Sequence, residues 1–287
     1  MNQFLLNLSR TALSSSCALL LIIPQYSSAA NFTDGFESGS FSHSQNQISW
    51  GGTAGDIPPV VSKDNPKDGN YSVKFTFKGD PNTTRGTGSK LQFNLGNYYR
   101  DVWVQFDVFF PSNWSPRDRD AKAHNKGPIM LWSDNGWHDD LKSYSSYEAW
   151  NAENWPTGIV SYNRGGYRGH VHPKLDNSYF YYPNPKKDLG RWVNIVARIK
   201  FATSASANDG IFQIWKDGVL GLDASNVNNY LKNNKPGVNF GYIFGPADTG
   251  FNIDTNIYLD NVVISDQPLT GSKDASTLYP PNPPLVQ

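Results

Sequence analysis

The chain predicts an all-β fold, a sandwich of two antiparallel sheets, and three observations carry that reading. Aromatic residues make up 14% of the sequence and charged residues only 17%, a balance unlike that of helical bundles built from Ala, Leu, Glu and Lys. Of the 25 acidic residues only Glu37, Glu148 and Glu153 are glutamates, whereas exposed helix faces draw heavily on that residue. Short runs rich in Val, Ile, Phe, Tyr and Trp recur between clusters of Gly, Pro, Asn and Asp, which is the punctuation of strands joined by turns. One large β domain accommodates this length, and no linker divides it.

Residues 1–30 are expected to be an export signal. Arg10 precedes the apolar run Ala18–Ile23, which is followed by Pro24 and the small residues Ser28-Ala29-Ala30, so cleavage is placed after Ala30. The run is shorter than the roughly 20 residues that span a bilayer. A secreted protein, extracellular or periplasmic, is therefore expected, without a membrane partner. The single cysteine, Cys17, lies in this segment, so the mature chain has no disulfide and must be stabilised by packing or by a metal. Lys and Arg total 25 against 25 Asp and Glu, a balance that offers no basic surface to nucleic acid. A monomer is expected.

Strands are expected over Tyr71–Lys78, Lys90–Leu95, Asp101–Phe110, Pro128–Trp132, Ser146–Trp150, Gly158–Asn163, Trp192–Phe201, Ile211–Trp215, Asn239–Phe244 and Asn256–Ile264. The alternation in the third is plain: Val102, Val104, Phe106 and Val108 share one face, and Trp103, Gln105, Asp107 and Phe109 the other. In Trp192–Lys200, Val193, Ile195, Ala197 and Ile199 oppose Trp192, Asn194, Val196, Arg198 and Lys200. Asp217-Gly218 joins Phe212–Trp215 to Val219-Leu220 as a two-residue hairpin turn with positive φ. Two long loops, Pro111–Lys126 and Gly165–Gly190, interrupt the pattern, and long loops in compact domains often carry function. The folded domain is placed at 31–266, and the proline-rich segment from Gln267 onward reads as a tail.

Three segments, Asp34-Gly35-Phe36-Glu37-Ser38-Gly39, Leu189-Gly190-Arg191-Trp192 leading into Ile195–Lys200, and Asn208–Gly218, are joined by a closing strand, Ile257–Ile264. Together they resemble secreted concanavalin-like jelly rolls, especially polysaccharide lyases of the heparin lyase I and alginate/glucuronan lyase type. Asn125–Trp132 is also similar to a strand of uncharacterised exported jelly-roll proteins. The resemblance implies a jelly-roll sandwich, an acidic polysaccharide as partner, and β-elimination on a uronate at the concave face.

Such an elimination needs a cation or amide to neutralise the carboxylate, a base for the C5 proton and an acid for the leaving oxygen. Arg, His and Tyr supply all three without a cofactor. They concentrate in Tyr144, Tyr147, Glu148 and Trp150 and in the run Tyr162–His172, which holds Arg164, Arg168, His170 and His172. In an extended strand Val160, Tyr162 and Arg164 share a face, and a cation beside a phenol favours the phenolate. A packed aromatic with a surface cation has the same sequence pattern. His170 and His172, at i and i+2, suit substrate contact, a zinc ligand pair or a solvated loop. Lys126 and His124 precede the Pro128–Trp132 strand within reach of a groove. Arg198 either binds a substrate carboxylate or pairs with Asp107. Trp103, Trp132, Trp137 and Trp150 offer stacking faces for sugar rings, with core packing as the alternative for each.

Glu37 and Asp260 lie in the first and last strand regions, which pair in related sandwiches, and hard oxygen ligands there suit a structural calcium. Capping of turns is the alternative. Glycoside hydrolysis needs two carboxylates on one face about 5–9.5 Å apart, and Asp107 with Glu148 is the pair left for it. No Gly-x-Ser-x-Gly elbow is present, which removes the common esterase arrangement. The candidate catalytic set is thus Tyr162, Arg164, His170 and Arg198, and the binding set Trp150, Trp132, Tyr147, Glu148, Lys126 and His172. A non-catalytic carbohydrate-binding or adhesion protein is the alternative function.

Overall fold

The computed structural model describes residues 31–269 apart from 81, 83–86, 116, 118–122, 134–143, 152–158, 164–186, 231–235 and 248–249; for 123–128, 144–151, 159–163, 221, 222 and 224 the backbone alone is described. Among these residues there is no helix. The strands are β1 (Asn31–Asp34), β2 (Ser44–Gln45), β3 (Ile48–Gly55), β4 (Val60–Ser62) and β5 (Ser72–Phe77). They continue with β6 (Thr87–Tyr99), β7 (Asp101–Phe110), β8 (Ala123–Trp132), β9 (Tyr144–Asn151) and β10 (Ile159–Asn163). The last five are β11 (Arg191–Lys200), β12 (Gly210–Lys216), β13 (Val219–Val227), β14 (Val238–Ala247) and β15 (Thr255–Ser265).

Two antiparallel sheets form. The first has the order β13-β12-β11-β7-β15-β5-β4 with β1 added beside β15, and the second β10-β9-β8-β14-β6-β3-β2. Each of the ten expected strands has a counterpart among these elements, with β5, β10 and β11 ending a residue short of the expected bounds. The five not expected have weak patterns. Gly51, Gly52 and Gly55 interrupt the alternation of β3, with φ of 108° at Gly52 and 124° at Gly55, while β2 and β4 are too short to show a period. β13 carries bulges against β12, and sequence pattern finds only its start, in the hairpin. That hairpin turn is as expected, with φ of 49° at Asp217 and 76° at Gly218.

The core lies between the sheets. Val102, Val104, Phe106 and Val108 of β7, with Val193, Ile195, Ala197 and Ile199 of β11, are fully or almost fully buried on one side. They face Leu91, Phe93 and Leu95 of β6, Ile129 and Leu131 of β8, and Ile243 of β14. Removing these apolar side chains from water is the main favourable term in assembling the sandwich. Phe244 breaks the alternation. It stands opposite Lys90 in the ladder, yet a φ of 55° turns its ring inward against Phe75 at 4.9 Å and Phe106 at 6.2 Å. A bulky residue in this backbone region is costly, and the buried aromatic contacts offset the cost.

Gly241 sits at a close approach within the second sheet, since a Cβ there would meet the Phe93 ring at 2.2 Å and Leu131 at 2.8 Å. Gly241→Ala is expected to destabilise the fold by about 1–3 kcal/mol through overpacking, measured as a lowered midpoint in chemical denaturation.

Candidate active site

The outer face of the second sheet carries a cluster of its own away from the core, Met130, Trp132 and Tyr242 with Phe240 packed against it. Ladder pairing brings Gln92, Tyr242, Met130, Ser146 and Tyr162 into one row across β6, β14, β8, β9 and β10. The neighbouring row is Asn94, Phe240, Trp132 and Tyr144. Alternation explains the direction of the described members: Leu131 and Ile243 point into the core, so Met130, Trp132 and Tyr242 point away from it. Trp132 stacks on Phe240 at 6.3 Å and meets Tyr242 at 5.5 Å. Met130, Trp132 and Tyr242 form a buried cluster of their own. Lys90 completes the group, with its ammonium 5.6 Å from the centre of the Tyr242 ring. Burial holds the Lys90 pKa below the usual lysine value, because the charged form is the one that loses hydration.

The remaining sequence candidates divide by sheet. Glu148 stands opposite Lys126 on one side and Val160 on the other, Trp150 stands opposite His124, and Tyr147 opposite Ser161. The backbone thus brings Lys126, Tyr147, Glu148, Trp150 and Tyr162 onto three adjacent strands. Arg164, His170, His172 and Trp137 lie outside the described residues. Trp132 is a member of the buried cluster, 8% exposed, and so serves as floor under the face.

Arg198 belongs elsewhere. β11 is in the first sheet, and the Arg198 guanidinium forms two bonds to Asp101, at 3.0 and 2.6 Å, with its plane 4.7 Å from the Trp103 ring. It is therefore remote from the β10 row and does not pair with Asp107. That carboxylate instead accepts Lys67 Nζ at 2.6 Å, Asn194 Nδ2 at 2.9 Å and Asn261 Nδ2 at 3.0 Å. Trp103 stacks on Trp215 at 5.4 Å, again on the first sheet. Asp107 and Glu148, the pair considered for hydrolysis, lie on strands of different sheets.

β1 pairs with β15 as expected of the first and last strands, but the two carboxylates considered for calcium have other partners. Asp260 accepts the N–H groups of Lys67 at 2.9 Å, Asp68 at 3.3 Å and Asn261 at 2.8 Å. Glu37 accepts those of Asn70 at 3.0 Å and Tyr71 at 3.1 Å. An N–H dipole aimed at a carboxylate oxygen opposes a cation there. Among the described residues no group of three or more His, Cys, Asp or Glu side chains is placed to hold a metal. Glu37 and Asp260 therefore fit a clasp on the 67–71 loop and do not fit a calcium cage; the cation beside Asp107 is Lys67.

The sequence model of the polysaccharide lyase family matches residues 36–263, which is most of the sandwich. The chain belongs to the polysaccharide lyase family. Two solved structures show the same fold. An alginate lyase determined with a bound alginate trisaccharide is 12% identical, with 82% of this chain and 97% of that one covered at a TM-score of 0.54. An alginate lyase from a Chlorella virus is 13% identical, with 76% and 93% covered at a TM-score of 0.51. No curated protein matches the sequence. The lyase is thus a concanavalin-like jelly roll.

Lys90, Gln92 and Tyr242 stand on this face beside the candidates the sequence offers. β6 and β14 are distant in sequence from β10, and only pairing unites them. The one available signal was alternation, which sets Lys90 and Gln92 opposite the buried Leu91 and Phe93.

The loop clasp gives the lyase a testable acid response. Hydrogen bonds, first from the Asn70 amide and then from Tyr71, hold the Glu37 pKa below its ordinary 4.5. A depressed carboxyl pKa contributes stability that is complete above the unfolded value and is lost as pH falls through the folded value. Glu37→Gln is expected to lower the thermal midpoint at neutral pH. The difference from wild type is expected to vanish as the medium is acidified below pH 4.5; a difference that persists unchanged in acid would refute the assignment.

Proposed function

We propose that this lyase cleaves a uronate-containing polysaccharide by β-elimination along the outer face of the second sheet, acting as a secreted enzyme. The observation that supports the reading best is the row from Gln92 through Tyr242, Met130 and Ser146 to Tyr162. It aligns a tyrosine near the end of β10 with polar or aromatic residues of β9, β14 and β6 and with Met130 of β8.

Elimination takes the proton from C5 of the uronate and breaks the bond from C4 to the glycosidic oxygen. A C4–C5 double bond forms, and the oxygen departs with a proton. C5 becomes acidic only when the adjacent carboxylate is neutralised, which calls for a cation or amide aimed at it. Arg164 follows Tyr162 by two residues, and alternate residues in extended chain are about 7 Å apart, a separation that one sugar unit bridges. In this reading Arg164 neutralises the carboxylate. Tyr162 takes the C5 proton, and His170 supplies the proton to the leaving oxygen. Trp150, Glu148, Lys126 and His172 hold the flanking sugars. The export signal read in residues 1–30 supports an extracellular or periplasmic setting, where such glycans occur.

The test is incubation of the purified protein with alginate, glucuronan, heparin and ulvan, following the ultraviolet absorbance of the unsaturated sugar end, with neutral glycans as controls. A rise with at least one uronate polymer and none with neutral glycans is expected. Chain cleavage without that chromophore, or glycan binding without cleavage, refutes the elimination.

A further inference from the structure

The outer face of the first sheet holds two tryptophans that are covered more completely than their neighbours. Trp103 of β7 and Trp215 of β12 stack at 5.4 Å with their planes 23° apart, and with Val196 and Leu220 they form a cluster separate from the core. Both are only 4% exposed, whereas Phe109, Trp192 and Tyr258, which share a row elsewhere on this face, stay partly exposed. Among the described residues no third sheet lies over the face. What packs on the tryptophans there is the Arg198 guanidinium, 4.7 Å from the Trp103 ring, together with Leu269.

The indole N–H of each ring is buried and has no hydrogen-bond partner. An indole nitrogen can only donate, and buried donors are normally satisfied, so this cluster calls for carbonyl oxygens from a segment that brings few donors of its own. The same chain holds such a segment. Leu269, already seated on the cluster, is the last described residue, and after ten more residues the sequence reads Pro280-Pro281-Asn282-Pro283-Pro284. Proline has a carbonyl but no N–H, and proline runs favour the polyproline II helix, which leaves its carbonyls free and docks on aromatic surfaces. Ten extended residues reach about 33 Å at roughly 3.3 Å each, while β11 alone separates β7 from β12, so the length suffices. Tethering at Leu269 also gives the segment an effective concentration on the order of millimolar, an advantage that no separate partner shares.

We propose that the Trp103 and Trp215 face is the docking surface for this chain's own proline-rich segment, Pro280–Pro284, whose backbone carbonyls accept the two indole N–H groups. Leu269 is the fixed start of the strap. The surface belongs to the first sheet and the candidate active face to the second, so the proposal stands apart from the elimination reading.

The experiment follows hydrogen exchange of the indole N–H groups by NMR in the mature protein, with the two signals assigned through Trp103→Phe and Trp215→Phe. Ending the chain at Leu269 is expected to speed exchange at both indoles at least tenfold, as befits loss of a hydrogen bond together with its cover. The Trp50 indole, which donates to Asp34 at 2.6 Å, is expected to keep its rate and serves as the internal reference. In the full-length mature chain Pro281→Ala/Pro284→Ala is expected to speed exchange at Trp103 and Trp215 at least threefold, and this variant decides the matter if the shortened chain does not fold. A synthetic peptide of residues 277–287 added to the shortened chain is expected to restore protection. Unchanged exchange in the proline variant, equal acceleration at Trp50, or a peptide that restores nothing overturns the proposal. Protection that fades as the full-length mature protein is diluted also overturns it, since the segment would then come from a second copy.

Discussion

Replacing Asp188 by alanine is expected to destabilise the protein by about 3–5 kcal/mol, the cost of leaving a buried charge without its partner. Lys216 Nζ lies 2.8 Å from Asp188 Oδ2, with the two side chains 1% and 0% exposed. Ladder register explains the burial: Lys216 stands opposite Ile195 on β11, a position on the core side, so its ammonium ends inside the sandwich. Desolvation lowers the Lys216 pKa, and the hydrogen bond that its ammonium donates to Asp188 is the strongest influence in the other direction. The second carboxylate oxygen of Asp188 accepts Arg191 at 2.8 Å, and Arg191 also reaches Asp217 at 2.8 Å. Asp217 in turn accepts the Asn194 amide at 3.0 Å. Asp188 therefore fastens the chain entering β11 to the β12–β13 hairpin. Chemical denaturation of Asp188→Ala measures the loss. The double variant Asp188→Leu/Lys216→Met is expected to recover most of it, since a buried ion pair is replaceable by apolar volume whereas half a pair is not. A single-variant loss under about 1 kcal/mol, the range of exposed ion pairs, would show that the pair does not hold the hairpin.

Exchanging Tyr162 for phenylalanine is expected to lower kcat by about 10²–10⁴-fold, the range for loss of a positioned proton-transfer group, with KM nearly unchanged. Phenylalanine keeps the ring and removes only the ionisable oxygen, so a fall in kcat alone isolates the proton-transfer role. The two arginines provide the contrast. Arg164→Met is expected to cost activity on a similar scale, because an unneutralised carboxylate leaves C5 nonacidic. Arg198→Met is expected to leave kcat unchanged and to reduce stability by about 0.5–2 kcal/mol, through loss of the Asp101 pair and the contact with the Trp103 ring. Reversal of this pattern, with activity lost at Arg198 and retained at Tyr162, would move the chemistry to the other sheet and refute the proposed face.

Most of the sandwich was legible because its strands bury one face each. Val102 to Val108 and Val193 to Ile199 alternate so regularly that the core-facing set follows from spacing alone, although Trp103, Asp107 and Val196 of the other face are buried too. The strands that escaped were those where glycine, brevity or bulging erased the alternation, as in β3, β2 and β13. The candidate site was legible in part. The cluster from Tyr144 to His172 was conspicuous as composition, and the pairing of β8, β9 and β10 joins much of it. Arg198 and Asp107 were misassigned for one reason: a strand pattern states that a side chain leaves the core but not which of two outer faces it reaches.

Composition and alternation by themselves determined the two-sheet architecture, the hairpin at Asp217-Gly218 and which residues fill the core, since these depend on local backbone preference and on hiding apolar area from water. Tertiary structure alone decided which strands became neighbours, and with that everything chemical. It set Lys90 beside Tyr242, sent Arg198 to Asp101, and turned Glu37 and Asp260 toward backbone amides. It also turned Phe244 inward against its ladder position. Each of these depends on contacts between residues distant in sequence, which no local pattern encodes, because their energies exist only after the sheets have formed.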